Sequence, residues 1–196
     1  MQDDININIL TGLEKITQVF RALLWEMAKK EGISPLQLQF MDYIQRSPRE
    51  LCTVSRMSAE FDLKKSTVSE SIKALQAKNL VGKEKSRDDK RYFYLFSTSM
   101  GIERVSSLNY YSPLLMKELE KIPADNRKTV LSFLTDIIRL FYEHGFIQTA
   151  KLCINCRNFV PNSDKSSDRP HFCTYAGIHM RDDGIKFNCR HFNHKI

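Results

Sequence analysis

Four of the five cysteines in this 196-residue chain fall in its last quarter. Cys153 and Cys156 form a C-x2-C pair, sixteen residues separate Cys156 from Cys173, and fifteen more precede Cys189. Two thiolates on one tight turn can grip a single ion, and two further thiolates complete a tetrahedral four-sulfur shell. The segment 151–196 that carries them has no long apolar period, and a piece this small cannot hold itself together by apolar burial. A metal crosslink therefore has a structural task here. Zinc is the first candidate, an iron-sulfur cluster is the alternative because it also takes four thiolates, and free or redox-switching thiols are the third. His171, His179, His191 and His194 lie nearby in sequence, and His171 or His191 could replace a cysteine. The four-cysteine set is preferred because one site then accounts for every cysteine of the tail. Phe159, Phe172, Tyr175, Phe187 and Phe192 are expected to form an aromatic shell around it and dock it on the preceding helix, and Cys52 is expected to be a small core residue.

A second stretch, Lys64 to Phe96, has residue types suited to a polyanion. Val68, Ile72 and Leu75 recur at helical spacing and mark a buried face, leaving Lys65, Ser66, Thr67, Ser69, Glu70 and Lys73 outward. Hydroxyls, carboxylates and amines on a helix can read base edges and phosphates in a major groove, with Glu70 a candidate acceptor for a cytosine amine. Asn79 stands where a helix ends on a left-handed residue. Val81 to Lys85 and Tyr92 to Phe96 read as two strands, and the link between them is too charged to bury, so Arg87, Lys90 and Arg91 should project on it as a wing. From Lys64 to Arg91 there are nine basic and four acidic side chains, so much of the chain's net charge of +7 is concentrated here.

These groups need elements to position them. Ser34-Pro35 is a helix cap followed by proline at the first helical position, and Leu36, Leu38, Phe40, Met41 and Ile44 supply that helix with apolar surface. Val54, Met57 and Phe61 give a second, short helix one apolar face. Helix, short helix, turn, exposed polar helix and hairpin together make a winged helix-turn-helix, a reading head of about 34–100. At the start, Ile9, Leu13, Ile16, Phe20, Leu23 and Met27 trace one face of a long helix over about 5–30, widened by Val19, Leu24 and Trp25. Ile102 to Leu119 reads as a further helical stretch, broken by Pro123. Val130, Phe133, Leu134, Ile137, Ile138 and Phe141 make the face of a last long helix.

The run from about Leu36 to Gly101, above all LKKSTVSESIKALQAKNLV and RDDKRYFYLFSTSMG, resembles the MarR family of bacterial winged-helix regulators. The wing's Asp-x-Arg element fits Asp89-Lys90-Arg91. The Leu-Thr-x-x-Gly segment that ends the second wing strand reads Phe96-Ser97-Thr98-Ser99-Met100-Gly101, one residue looser, and Asn79 replaces the expected turn glycine. The resemblance implies a sequence-specific DNA-binding transcriptional regulator whose terminal helices pair two copies, and a palindromic site with recognition helices about 34 Å apart. It also implies small phenolic or lipophilic effectors. The tail lies outside the family's pattern. With an iron-sulfur cluster or switching thiols there, the chain would be a redox-sensing regulator. A winged helix that binds protein is a further reading, disfavoured by the basic outward face.

No apolar run reaches the roughly 20 residues needed to span a bilayer, and the acidic start MQDDININ is unlike a secretory leader, so a cytoplasmic location is expected. Glycine-rich phosphate loops, G-x-S-x-G and H-E-x-x-H are missing, and four thiolates leave a metal no open position, so an enzyme is not expected. The expected fold is mainly α with a small β-wing. It divides into a winged helix-turn-helix with a helical dimerisation bundle over 1–150 and a small metal-bound subdomain over 151–196.

Overall fold

The computed structural model describes residues 4–86, 92–107, 113–147, 151–187, 189 and 191–193. The first helix, α1 (Ile5–Lys30), begins at Asp4, whose carboxylate accepts the Asn6 N–H, and ends with Lys29 and Lys30 against the negative end of its dipole. Helix α2 (Pro35–Arg46) follows. Its entry is a reciprocal cap: Gln37 N–H donates to Ser34 Oγ, and Ser34 N–H donates to Gln37 Oε1. A 3-10 turn, Arg49–Leu51, leads to α3 (Val54–Glu60), capped by the Thr53 hydroxyl, which accepts from Arg56 N–H. Helix α4 spans Lys65–Ala77, and Asn79 leaves it at φ 56°, the left-handed exit its short amide side chain tolerates.

The wing strands β1 (Val81–Lys85) and β2 (Phe93–Ser97) pair antiparallel from Val81 opposite Ser97 to Lys85 opposite Phe93. Ser86 N–H extends the ladder by donating to the Tyr92 carbonyl. The Phe96 ring lies over Gly82 in β1, and a Cβ there would push the ring aside. At the far end Thr98 organises the exit. Its N–H donates to the Leu80 carbonyl, its hydroxyl donates to the Asn79 carbonyl, and the same oxygen accepts the Gly101 N–H. Gly101 lies so close to the Leu80 carbonyl that a Cβ has no room. Thr98 and Gly101 thus close the far end of the wing together.

Three helices come next: α5 (Ser99–Ser107), α6 (Pro113–Glu120) and α7 (Ala124–Glu143). The expected helical stretch 102–119 is helical on both sides of 108–112, which lie outside the described residues. The tail holds a 3-10 turn at Cys153–Asn155, strands β3 (Phe159–Val160), β4 (His171–Cys173) and β5 (Ile178–Met180), and a second 3-10 turn at Asp182–Gly184. β4 is the central strand, antiparallel to both neighbours, with Cys173 between Phe159 and Ile178.

The chain divides into two compact units, Met1–Gln45 with Ser69–Tyr110, and Arg46–Val68 with Tyr111–Ile196. This division puts α3, the first turn of α4 and the tail in one unit. Unit one buries Ala28, Leu38, Phe40, Met41, Ile72, Leu75, Leu80 and Leu95. Unit two buries Cys52, Met57, Val68, Leu152, Cys153, Cys156, Phe159 and Met180. The outer helices are bare by comparison. On α1, Ile16, Val19, Phe20, Leu23 and Trp25 are exposed, and on α7 Val130, Leu140 and Phe141 are exposed, within a single chain.

Candidate nucleic-acid interface and thiol cluster

Helix α4 presents the face its spacing predicts. Val68, Ile72 and Leu75 are buried, Lys65, Ser66, Glu70 and Lys73 are exposed, and Thr67 and Ser69 are half-buried beside them. Burial of every third or fourth residue fixes the helix's rotation, so the polar side faces out. The turn before it is tight. Asp62 adopts φ 50°, Leu63 N–H donates to the Ser58 carbonyl, and Val68 N–H donates to the Lys64 carbonyl. On β1, Lys83 Nζ sits 5.4 Å from the centre of the Phe93 ring, giving the wing a cation backed by an aromatic face. Arg87, Lys90 and Arg91 lie outside the described residues.

All five cysteines are free thiols. In the tail, Cys153, Cys156, Phe159 and Met180 form one buried cluster, with Cys173, Ile154, Ile185 and Phe192 packed against it. Two backbone groups are aimed at sulfur: Lys186 N–H donates to Cys153 Sγ at 3.3 Å, and Asn193 N–H donates to Cys156 Sγ at 3.4 Å. These donors flank Cys189, three residues before it and four after, so the last cysteine is carried to the C-x2-C turn by main-chain bonds. Burial pushes the Cys153 thiol up. The Lys186 N–H pulls the other way, and negative charge on Cys189, Cys156 or Cys173 would raise it further.

Among the described residues no three His, Cys, Asp or Glu side chains already converge on one ion position. The donor set nevertheless suits a thiophilic ion: three of the four sulfurs belong to one small core, the Cys189 N–H is tied to the Lys151 carbonyl beside it, and Cys153 and Cys156 each receive a backbone N–H.

The histidines are occupied otherwise. His171 is buried, its Nδ1 accepts the Asn162 N–H at 3.2 Å, and its Nε2 lies 2.7 Å from Asp182 Oδ1. With Nδ1 accepting, the proton belongs on Nε2, and neither nitrogen offers a lone pair to a metal. His191 stacks on Tyr175 at 4.2 Å, and His179 packs at a tilt of 48° against Phe172 at 4.9 Å. His194 lies outside the described residues. The expected aromatic shell is smaller than its sequence suggested. Phe159 and Phe192 pack with the cysteines, whereas Tyr175 is exposed. Between α7 and the tail runs a cleft of about 540 Å³, walled by Leu131 and Thr135 on one side and Ile154, Phe159 and Ile185 on the other.

Lys151 and Glu60 were not legible as a pair. Their side chains meet at 3.1 Å with only 9% and 17% of their surface exposed. Nothing local announces an ion pair formed across so many intervening residues. Cys52 is buried as expected. Burial pushes its thiol up to about 11, with the nearby Lys151 charge acting against that rise. At pH 8 only about one Cys52 in a thousand is then thiolate. Iodoacetamide at that pH is expected to spare Cys52 in the native chain and to label it once denaturant is added, as read by peptide mass spectrometry. Native labelling at the rate of a free thiol would refute the burial.

The order α2, α3, tight turn, outward-faced α4, β1 and β2 defines a winged helix-turn-helix. The MarR family model matches residues 31–91, which run from the turn before α2 through the wing loop. Solved structures share the fold. Staphylococcus aureus MarR in complex with salicylate and kanamycin has a TM-score of 0.62 at 19% identity, over 71% of this chain and 93% of that one. Streptococcus pneumoniae FabT in complex with DNA gives 0.57 at 20% identity, over 69% and 98%. The S. aureus MepR–DNA complex gives 0.55 at 16% identity, over 65% and 93%. No curated protein matches the chain in sequence. Among the described residues no helix is long and apolar enough to cross a membrane.

Proposed function

We propose that this chain is a cytoplasmic, MarR-type transcriptional regulator that binds duplex DNA as a homodimer, with a tail folded around a zinc ion. The observation that carries the DNA reading is the α4 face, where Lys65, Ser66, Glu70 and Lys73 are all exposed in a fold shared with two proteins solved on DNA. Thr67 and Ser69 extend the same reading edge, and Arg87, Lys90 and Arg91 supply the wing with phosphate or minor-groove contacts. A protein-binding winged helix would favour an apolar or acidic face there.

The dimer is supported by the apolar side chains left bare on α1 and α7, which a monomer would expose to water. The metal reading is supported by the N–H groups aimed at Cys153 and Cys156, by the packing of Cys173 against them, and by the Cys189 N–H bond to the Lys151 carbonyl. Cys153, Cys156, Cys173 and Cys189 would hold the ion, whose chemistry is to crosslink four segments. The effector class that the resemblance implies is phenolic or lipophilic.

Selection of duplexes from a random pool by the full-length chain tests the regulator and dimer readings together. The expected product is a palindrome with half-sites about one helical turn apart, bound with steep salt dependence. Recovery of single half-sites would overturn the dimer, and recovery of no sequence preference would overturn the regulator.

A further inference from the structure

We propose that occupancy of the four-cysteine site is transmitted to the start of the reading helix through Lys151. The inference rests on the tail being a metal site and adds a regulatory role to it. Lys151 stands two residues before Cys153, and its carbonyl accepts the Cys189 N–H at 3.4 Å. Its main chain thus belongs to the junction of two ligand-bearing segments. Its side chain leaves the tail altogether and pairs with Glu60, the last residue of α3. Leu152, between the junction and the first ligand, is 1% exposed and anchors the same short stretch.

From Glu60 the chain needs only Phe61–Lys64 to reach Lys65 on the reading face, and that turn is held by the Leu63 N–H on the Ser58 carbonyl. The first turn of α4, up to Val68, falls in the same compact unit as the tail. No flexible spacer therefore separates the thiols from the helix-turn-helix corner along this route. An ion pair that is nearly excluded from water has two states rather than a continuum, since a carboxylate that loses its ammonium partner there must move to find water. With the ion in place, Cys153 and Cys189 hold the Lys151 junction closed and Glu60 keeps its partner. Without it the junction opens, Glu60 is released, and the corner that orients Lys65 and Ser66 loosens.

Hydrogen exchange on the full-length, reduced chain, stripped with a chelator and then supplied with zinc alone, tests this directly. Zinc is expected to slow exchange of the amides of residues 57–68 by about tenfold, within the range of coupling between two sites. Peptides from α2 report any global change. Lys151→Met should bind the same zinc by elemental analysis and protect the tail, yet leave residues 57–68 as they were in the stripped protein. Because a lone buried carboxylate can itself unsettle the fold, Lys151→Met combined with Glu60→Gln serves as the second variant, with the same expected pattern. Zinc bound and the tail protected, with 57–68 unaltered in the unsubstituted chain, would overturn the coupling while the metal reading stands. Equal protection of 57–68 with and without Lys151 would overturn the route. A chain that binds no zinc would overturn the metal reading and the coupling with it.

Discussion

Lys73→Ala is expected to weaken binding to the selected duplex about tenfold or more near physiological salt, and to flatten the salt dependence by close to two units. The second figure follows from symmetry. Each phosphate neutralised releases about 0.9 of a counterion, and a homodimer loses two such contacts for one substitution. The side chain is exposed and the substitution replaces one good helix former by another, so the fold should be untouched. Lys128→Ala is the matched control, since it removes the same charge from α7, where Lys128 pairs with Asp125 at 3.1 Å.

Glu70→Gln separates reading from gripping on the same face. It should leave the salt slope nearly unchanged, while discrimination at one base pair falls by about 1–3 kcal/mol as the acceptor for a cytosine amine becomes ambivalent. If Lys73→Ala and Lys128→Ala gave superimposable isotherms across a salt series, α4 would not be the reading helix.

That face was legible in the sequence because it is local. Val68, Ile72 and Leu75 recur within one helix, and periodicity alone decides which side turns inward. Asn79 was legible for a similar reason, as few side chains accept a left-handed φ. Thr98 and Gly101 were harder. Their task, a hydroxyl bridging the Asn79 carbonyl and the Gly101 N–H, depends on β2 returning beside the start of β1, which no local pattern announces. Least legible were the pairs made across long separations. The C-x2-C turn advertises thiol chemistry but is silent on which main-chain groups reach its sulfurs. His171 stands two residues from Cys173 and invites a ligand reading. It faces Asn162 and Asp182 instead: alternation along β4 puts it on the same side as Cys173, but both ring nitrogens are taken up by those two partners.

The tail is where a single atom should matter most. Chain purified without oxygen is expected to carry about one zinc per protomer, and Cys156→Ser to carry little or none. The strands β3, β4 and β5 are only two or three residues long, and the buried cluster beneath them is four side chains. Such a piece cannot offset the entropy of ordering its loops by burial, whereas a structural zinc contributes about 10–16 kcal/mol of binding that is also folding free energy. Loss of the ion should therefore melt the tail as a unit. Limited proteolysis should then cut Cys156→Ser within 151–193 while the helices before it resist. His171→Gln provides the contrast, since it disturbs the Asn162 and Asp182 bonds but removes no sulfur. It should keep its zinc and merely loosen the β3–β4 connection. A His171→Gln chain that lost its metal as completely as Cys156→Ser would place imidazole in the shell, and brown protein containing iron and sulfide would replace zinc by a cluster on the same four cysteines.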